Sequence, residues 1–141
     1  MYIFPEELRK IYESECIPFA AYQMDEEKAT PLLVSDGLCL QMGMTRDQLM
    51  LLLSDGLYDS IHPDDAGRVR RISIDFAARK GDYNCFFRRR HRDGGYHAIH
   101  GVGYWQAMED GSEIAFLTYQ DMNTAGEELE RTVEEYELFR K

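Results

Sequence analysis

The stretch from Tyr83 to Ala107 constrains this chain more than any other, because two runs rich in aromatic and aliphatic residues flank Asp93-Gly94. Asp-Gly is a preferred two-residue hairpin turn, since both positions tolerate positive φ. Antiparallel strands are therefore expected over 83–92 and 96–107. Folding the string about this turn sets Arg92 opposite Gly95, His91 opposite Tyr96, Arg90 opposite His97, Arg89 opposite Ala98, Arg88 opposite Ile99 and Phe87 opposite His100. Side chains alternate between the faces of a strand. On this register Arg88, Arg90 and Arg92 share one face with His97, Ile99 and Trp105. Tyr83, Cys85, Phe87, Arg89 and His91 share the other with Tyr96, Ala98, His100, Val102 and Tyr104. The basic run RRRHR is thus split between faces. A solvated row paired with nearby acids is expected there, not a phosphate site.

The segments around the hairpin alternate in character. Phe4-Pro5-Glu6-Glu7 opens an amphipathic helix, with proline and acids suited to a first turn and Leu8, Ile11 and Tyr12 on one face. Phe19 to Met24 and Leu32-Leu33-Val34 read as strands about a polar turn. Short helices begin at Ser35, where Thr45-Arg46-Asp47-Gln48 has the form of a capping box. A longer helix starts at His62-Pro63-Asp64-Asp65, buries Ala66, Val69, Ile72, Phe76 and Ala77, and ends at Gly81. A third strand, 112–120, follows Glu109-Asp110-Gly111. Beyond Asp121 the spacing of Met122, Ala125, Leu129, Thr132, Tyr136 and Phe139 matches a short heptad seam. Helices segregated from an antiparallel sheet make the fold class α+β. The expected divisions are an N-terminal helix (1–16), a central domain (17–121) and an exit helix (122–141).

Composition narrows the partners. A net charge of −10 argues against a nucleic-acid or anionic-membrane surface, which needs concentrated positive potential. The three cysteines form no CxxC pair, so buried thiols in a reducing, cytoplasmic setting are expected. No apolar run approaches the roughly 18 residues of a membrane span, and the first residues carry acids where a signal peptide is basic.

Five separate segments, in order, resemble a PAS domain over about Ile17 to Asn123. They are Val34-Ser35-Asp36-Gly37-Leu38 with Thr45-Arg46-Asp47-Gln48-Leu49, Ile61-His62-Pro63-Asp64-Asp65, Phe87-Arg88, Arg92-Asp93-Gly94, and Gln120-Asp121-Met122-Asn123. Two positions depart from the family pattern. Ser35 stands where Asn is common, and Ala98 where an aromatic residue is usual. The resemblance implies a five-stranded antiparallel sheet with helices on one face, serving as a sensor and dimerisation module and not as an enzyme. Family members hold haem, flavin, a small metabolite or nothing. The segments EELRKIYESECIPFAAYQ, LLVSDGLCLQMG and YDSIHPDD look most like modules that precede GGDEF diguanylate cyclase domains, with histidine kinases next.

Particular cofactors find little support. The reactive cysteine of light-sensing relatives lies in the short helices, and residues 46–58 contain none, so Cys85 is read as a structural thiol and covalent flavin is disfavoured. Haem relatives offer a histidine from the long helix, which has none between Asp64 and Lys80. His91 and His97, like His97 and His100, fall on opposite faces, and Asp64 and Asp65 need only the helix dipole, so no metal site is expected. No catalytic motif is present, and a small α+β enzyme trails as an alternative. The candidate ligand pocket is the second face of the hairpin with the last strand: Cys85, Phe87, Arg89, Ala98, His100, Tyr104, Phe116 and Thr118. Ala98 would leave it room, and Arg89 and His100 would be its polar handles; a filled core is the competing reading. Signal relay and homodimerisation fall to Asp121, Met122, Ala125, Leu129, Thr132, Tyr136 and Phe139, with Asp121 capping the exit helix and an effector in cis beyond Lys141. A ligand-free interaction module is the alternative.

Overall fold

The structure, a computed structural model, describes residues 1–25, 28–56 and 58–122. The elements are α1 (Glu6–Glu13), β1 (Phe19–Met24), β2 (Ala29–Val34), α2 (Asp36–Met42), α3 (Arg46–Asp55), a 3-10 turn (Tyr58–Ser60), α4 (Pro63–Arg79), β3 (Tyr83–Arg90), β4 (Tyr96–Ala107) and β5 (Glu113–Asp121). The strands form one antiparallel sheet in the order β2-β1-β5-β4-β3. The expected α+β fold is present. Residues 123–141, with the expected relay positions Ala125, Leu129, Thr132, Tyr136 and Phe139, lie outside the described residues.

Local signals set the helix ends. The Thr45 hydroxyl accepts the Gln48 N–H while the Gln48 side chain accepts from Thr45 N, completing the capping box. His62 caps α4, its Nδ1 accepting the Asp64 N–H at 3.1 Å. At the other end Lys80, not Gly81, takes the left-handed position, with φ of 56°. Ser35, where the family pattern has Asn, caps α2: its Oγ accepts from Leu38 N and Phe19 N and donates to the Ile17 carbonyl. That fully buried hydroxyl ties β1 to the start of α2.

The hairpin register differs from expectation by one residue. Three residues, not two, close the loop: His91 N–H donates to the Gly95 carbonyl at 2.7 Å, and Gly94 N–H to the His91 carbonyl at 3.0 Å, with Gly94 at φ 91°. This is a type I turn followed by a left-handed glycine. The pairs become Arg90–Tyr96, Arg89–His97, Arg88–Ala98, Phe87–Ile99 and Phe86–His100. A slip of one residue exchanges the faces of the partner strand. Thus Ala98, His100, Val102 and Tyr104 lie on the face opposite Cys85, Phe87 and Arg89. His91 and His97, expected apart, share a face.

The two sheet faces bury separate clusters. One packs Tyr22, Val34, Phe87, Ile99, Leu117 and Tyr119 against α2, α3 and α4 through Leu38, Leu49, Leu53, Val69 and Phe76. The other packs Phe19, Leu32 and Phe116 under Tyr2, Phe4, Leu8 and Tyr12, so α1 and its leader cover part of the sheet's second face. Gly37 lets the link between α1 and β1 pass, since a Cβ there would collide with the Cys16 carbonyl oxygen. Of the cysteines only Cys85 is buried; Cys39 is half-buried and Cys16 exposed, which corrects the expectation of buried thiols.

The edge strand β3 is closed by α4. Asp65 accepts from the Arg88 backbone N–H at 2.9 Å and grips its guanidinium through Nε at 2.9 Å and Nη2 at 2.8 Å. His62 N–H donates to the Arg88 carbonyl at 2.8 Å. The edge that could template aggregation is thereby occupied. Asp65 is a buried structural acid, not a solvent-face one, and Arg88 is buried where a solvated row was expected.

Candidate functional site

Alternation along β3 separates two neighbouring arginines. Arg88 turns to Asp65, whereas Arg89 enters the helix-side core, 2 % exposed. A guanidinium is a permanent cation with five donors, yet among the described residues no carboxylate meets this one. Its Nε and Nη1 have no hydrogen-bond partner among the described residues. Aromatic faces take part of the charge instead, the Arg89 Cζ lying 4.9 Å from the Tyr119 ring centroid and 5.2 Å from that of Phe87. Beside it Tyr22 and Tyr119 share a hydrogen bond between hydroxyls at 2.9 Å. Burial raises the Tyr22 pKa, helped by Tyr119. It also raises that of Tyr119 against the opposing charge of Arg89 and the hydrogen bonds Tyr119 makes with Tyr22 and Arg89. Both phenols therefore stay neutral near pH 7.

A cavity of about 20 Å³ runs past Arg89 between Tyr22, Tyr58, Val69, Phe87 and Tyr119. That volume holds about one water. An adjoining cleft of about 40 Å³ shares Met24, Ala29, Tyr58 and Ser73 with it and is bounded by exposed Asp25 and Lys28. The arrangement is a narrow approach ending on a buried cation among neutral phenols, with the Ser73 side chain on its wall.

Only part of the expected pocket is assembled here. Cys85, Phe87 and Arg89 face the helices. Ala98 is fully buried on the opposite face against Phe86 and Tyr96, so its small side chain opens no interior space. His100 bonds the Asn84 side chain at 2.8 Å, Tyr104 stacks on Phe116 with centroids 5.7 Å apart, and Thr118 donates to the Val102 carbonyl. None of these five borders the cavity. Tyr22, Tyr58, Ser73 and Tyr119, missed by the sequence reading, do. The signal that could have found Tyr119 is its place in β5 beside Leu117 and Ala115, on the face that the corrected register turns inward.

Asp121 ends β5, and its Oδ2 lies 2.8 Å from His97 Nδ1; the helix it was expected to cap lies outside the described residues. Burial opposes charge on His97, but bonds to Asp121 and Asp93 outweigh it and raise its pKa. Met122 N–H donates to the Ala98 carbonyl at 2.8 Å, carrying the pairing one residue further.

The profile of the PAS fold family matches residues 31–119. Among solved structures, the Rhodobacter sphaeroides LOV protein is similar at 11% identity and a TM-score of 0.67, over 86% of this chain and 69% of that one. A PAS domain from a two-component sensor histidine kinase is similar at 15% identity and 0.58, over 82% and 94%. A domain of the sensory box sensor histidine kinase/response regulator from Geobacter sulfurreducens follows at 16% and 0.55, over 80% and 90%. No curated protein matches the sequence. At these identities the structural likeness speaks for the fold alone.

Proposed function

The chain belongs to the PAS fold family, and from that premise we propose that it is a sensory domain whose ligand is a small carboxylate-bearing molecule read by Arg89. The observation that carries this reading is the buried guanidinium with Nε and Nη1 bare. Leaving a buried cation unpaired is costly, and a carboxylate matches its fork with two parallel charge-assisted bonds. The mostly apolar walls fit the usual make-up of a small-ligand site. Because the cavity is about 20 Å³, a ligand enters by moving Tyr58 and Met24, which line it beneath α4.

That displacement is the signal. It reaches β5 through Tyr119 and leaves through Asp121 and Met122 into the heptad positions 125–139, which pair in a homodimer. The exposed Val102, Tyr104 and Met122 are available to such an assembly. The effector stands in cis beyond Lys141 in a cytoplasmic protein, a diguanylate cyclase first and a histidine kinase next; the sensor-kinase neighbours support the second. The domain itself performs no catalysis. The small cavity favours one competing reading, a ligand-free interaction module.

Native mass spectrometry of the purified chain distinguishes them. A retained small molecule that is lost in Arg89→Met supports the sensor. Arg89→Met also removes an unpaired buried charge, so the empty variant is expected to melt no lower than the wild type. Wild-type protein that retains nothing, and whose melting temperature no small carboxylate shifts, would leave the interaction module standing.

A further inference from the structure

We propose that His91, His97 and Asp121 form a binding site for a divalent transition metal of the Zn²⁺ type, with the Asp93 carboxylate in its outer shell. The nitrogen and oxygen donors of His91, His97 and Asp121 all lie within 4.8 Å of one another. They come from three places in the chain: the end of the β3 run, the start of β4 and the last residue of β5. The three-residue turn with Gly94 left-handed is what brings the two rings onto one face. They stack there in parallel, centroids 4.1 Å apart and planes 3° from each other.

The hydrogen bonds around the rings already have the pattern of a metal site's outer shell. His91 Nε2 lies 3.0 Å from the Gln41 carbonyl oxygen, which can only accept, so the ring proton sits on Nε2 and Nδ1 accepts the Asp93 N–H at 3.4 Å, a long bond that an ion would displace. His97 has a carboxylate at each nitrogen, Asp121 Oδ2 at 2.8 Å from Nδ1 and Asp93 Oδ2 at 3.0 Å from Nε2. The same Asp93 oxygen is 3.5 Å from His91 Nδ1. Ligating histidines generally donate their second N–H to a carbonyl or carboxylate, and here each ring has such a partner. His97 would give one nitrogen to the ion and keep the other on the remaining carboxylate.

Two imidazoles with carboxylates suit Zn²⁺, Co²⁺ or Ni²⁺, whereas Mg²⁺ and Ca²⁺ call for oxygen ligands. Side-chain exposures of 21% for His91, 13% for His97 and 17% for Asp121 leave the site sheltered yet reachable. A bound ion would pin the hairpin turn to the residue from which the chain leaves the sheet. His97 stands opposite Arg89 in the strand register, but the test reads metal binding and does not depend on the carboxylate reading.

The test uses the full chain without a histidine tag. Co²⁺ titration is expected to give one saturable equivalent with the strong visible absorption of a four-coordinate ion, displaced by Zn²⁺ and not by Mg²⁺. Calorimetry with Zn²⁺ should show affinity about tenfold or more weaker in His97→Ala and Asp121→Asn. His91→Gln, a milder change with an unaltered circular dichroism spectrum, should weaken it comparably. Absence of saturable Co²⁺ and Zn²⁺ binding in the wild type, displacement by Mg²⁺, or Zn²⁺ affinity unchanged in folded His91→Gln and His97→Ala would each overturn the site.

Discussion

Arg88, Arg89 and Arg90 are one letter repeated, and they have three different physical fates. Arg88 is clamped by the Asp65 carboxylate, Arg89 is buried without a carboxylate among the described residues, and Arg90 is exposed with its Nη2 3.3 Å from the Tyr96 hydroxyl. The Asp65–Arg88 pair yields a prediction in pH. Burial pushes the Asp65 carboxyl up, but the bonds from Arg88 and the charges of Arg88 and Arg68 outweigh it and hold it below its ordinary value of 3.8. A carboxyl depressed by folding stabilises in full above its unfolded pKa, and that stability disappears as pH falls through the folded value. Asp65→Asn strands a buried guanidinium, so it should cost about 3–5 kcal/mol at pH 7 in a urea titration. The gap between variant and wild type should narrow below about pH 4. A gap that stays constant from pH 7 to acid would show that the pair contributes nothing specific. The two partners are visible in the sequence, but their pairing is not, because Asp65 and Arg88 are joined only by α4 folding onto the sheet edge.

At the scale of elements, helix starts were legible and strand register was not. The capping box at Thr45 and the His62 cap are local patterns whose partners lie two or three residues away. The hairpin also contains a local signal, but an ambiguous one. Asp93-Gly94 serves equally as a two-residue turn or as the end of a three-residue turn with a left-handed glycine, and one residue of difference exchanges the faces of β4. The consequence is testable at Ala98, where a cavity reading expects Ala98→Trp to fill space and raise the melting temperature. Packed against Phe86 and Tyr96 on the face away from Arg89, the indole should instead overpack the site, lowering stability by about 1–3 kcal/mol. Any ligand retained through Arg89 should remain bound. A rise in melting temperature in differential scanning calorimetry would contradict the observed register.

For the whole molecule, the decisive feature is that both sheet faces are packed, one by α2, α3 and α4 and the other, in part, by the N-terminal segment. Tyr2 and Phe4 are 5% and 3% exposed, and Phe4 sits edge-on to Phe116 at 6.4 Å. Burying an aromatic side chain stabilises by about 2 kcal/mol. Deleting residues 1–16 should therefore lower the melting temperature by roughly 10 °C and raise binding of an apolar dye at the exposed Phe19 and Phe116. An unchanged melting curve would show the segment to be a detachable leader. What the sequence by itself determined was the class of fold, the helix N-caps and the family resemblance, because each is carried by residues adjacent in the chain or by their order. Only the tertiary structure decided which arginine is buried without a carboxylate among the described residues, that Ala98 faces away from the helix-side core, and that His91, His97 and Asp121 meet. Those facts depend on strand parity and on contacts between distant segments, and a single residue in the Arg92-Asp93-Gly94 loop reverses the last two.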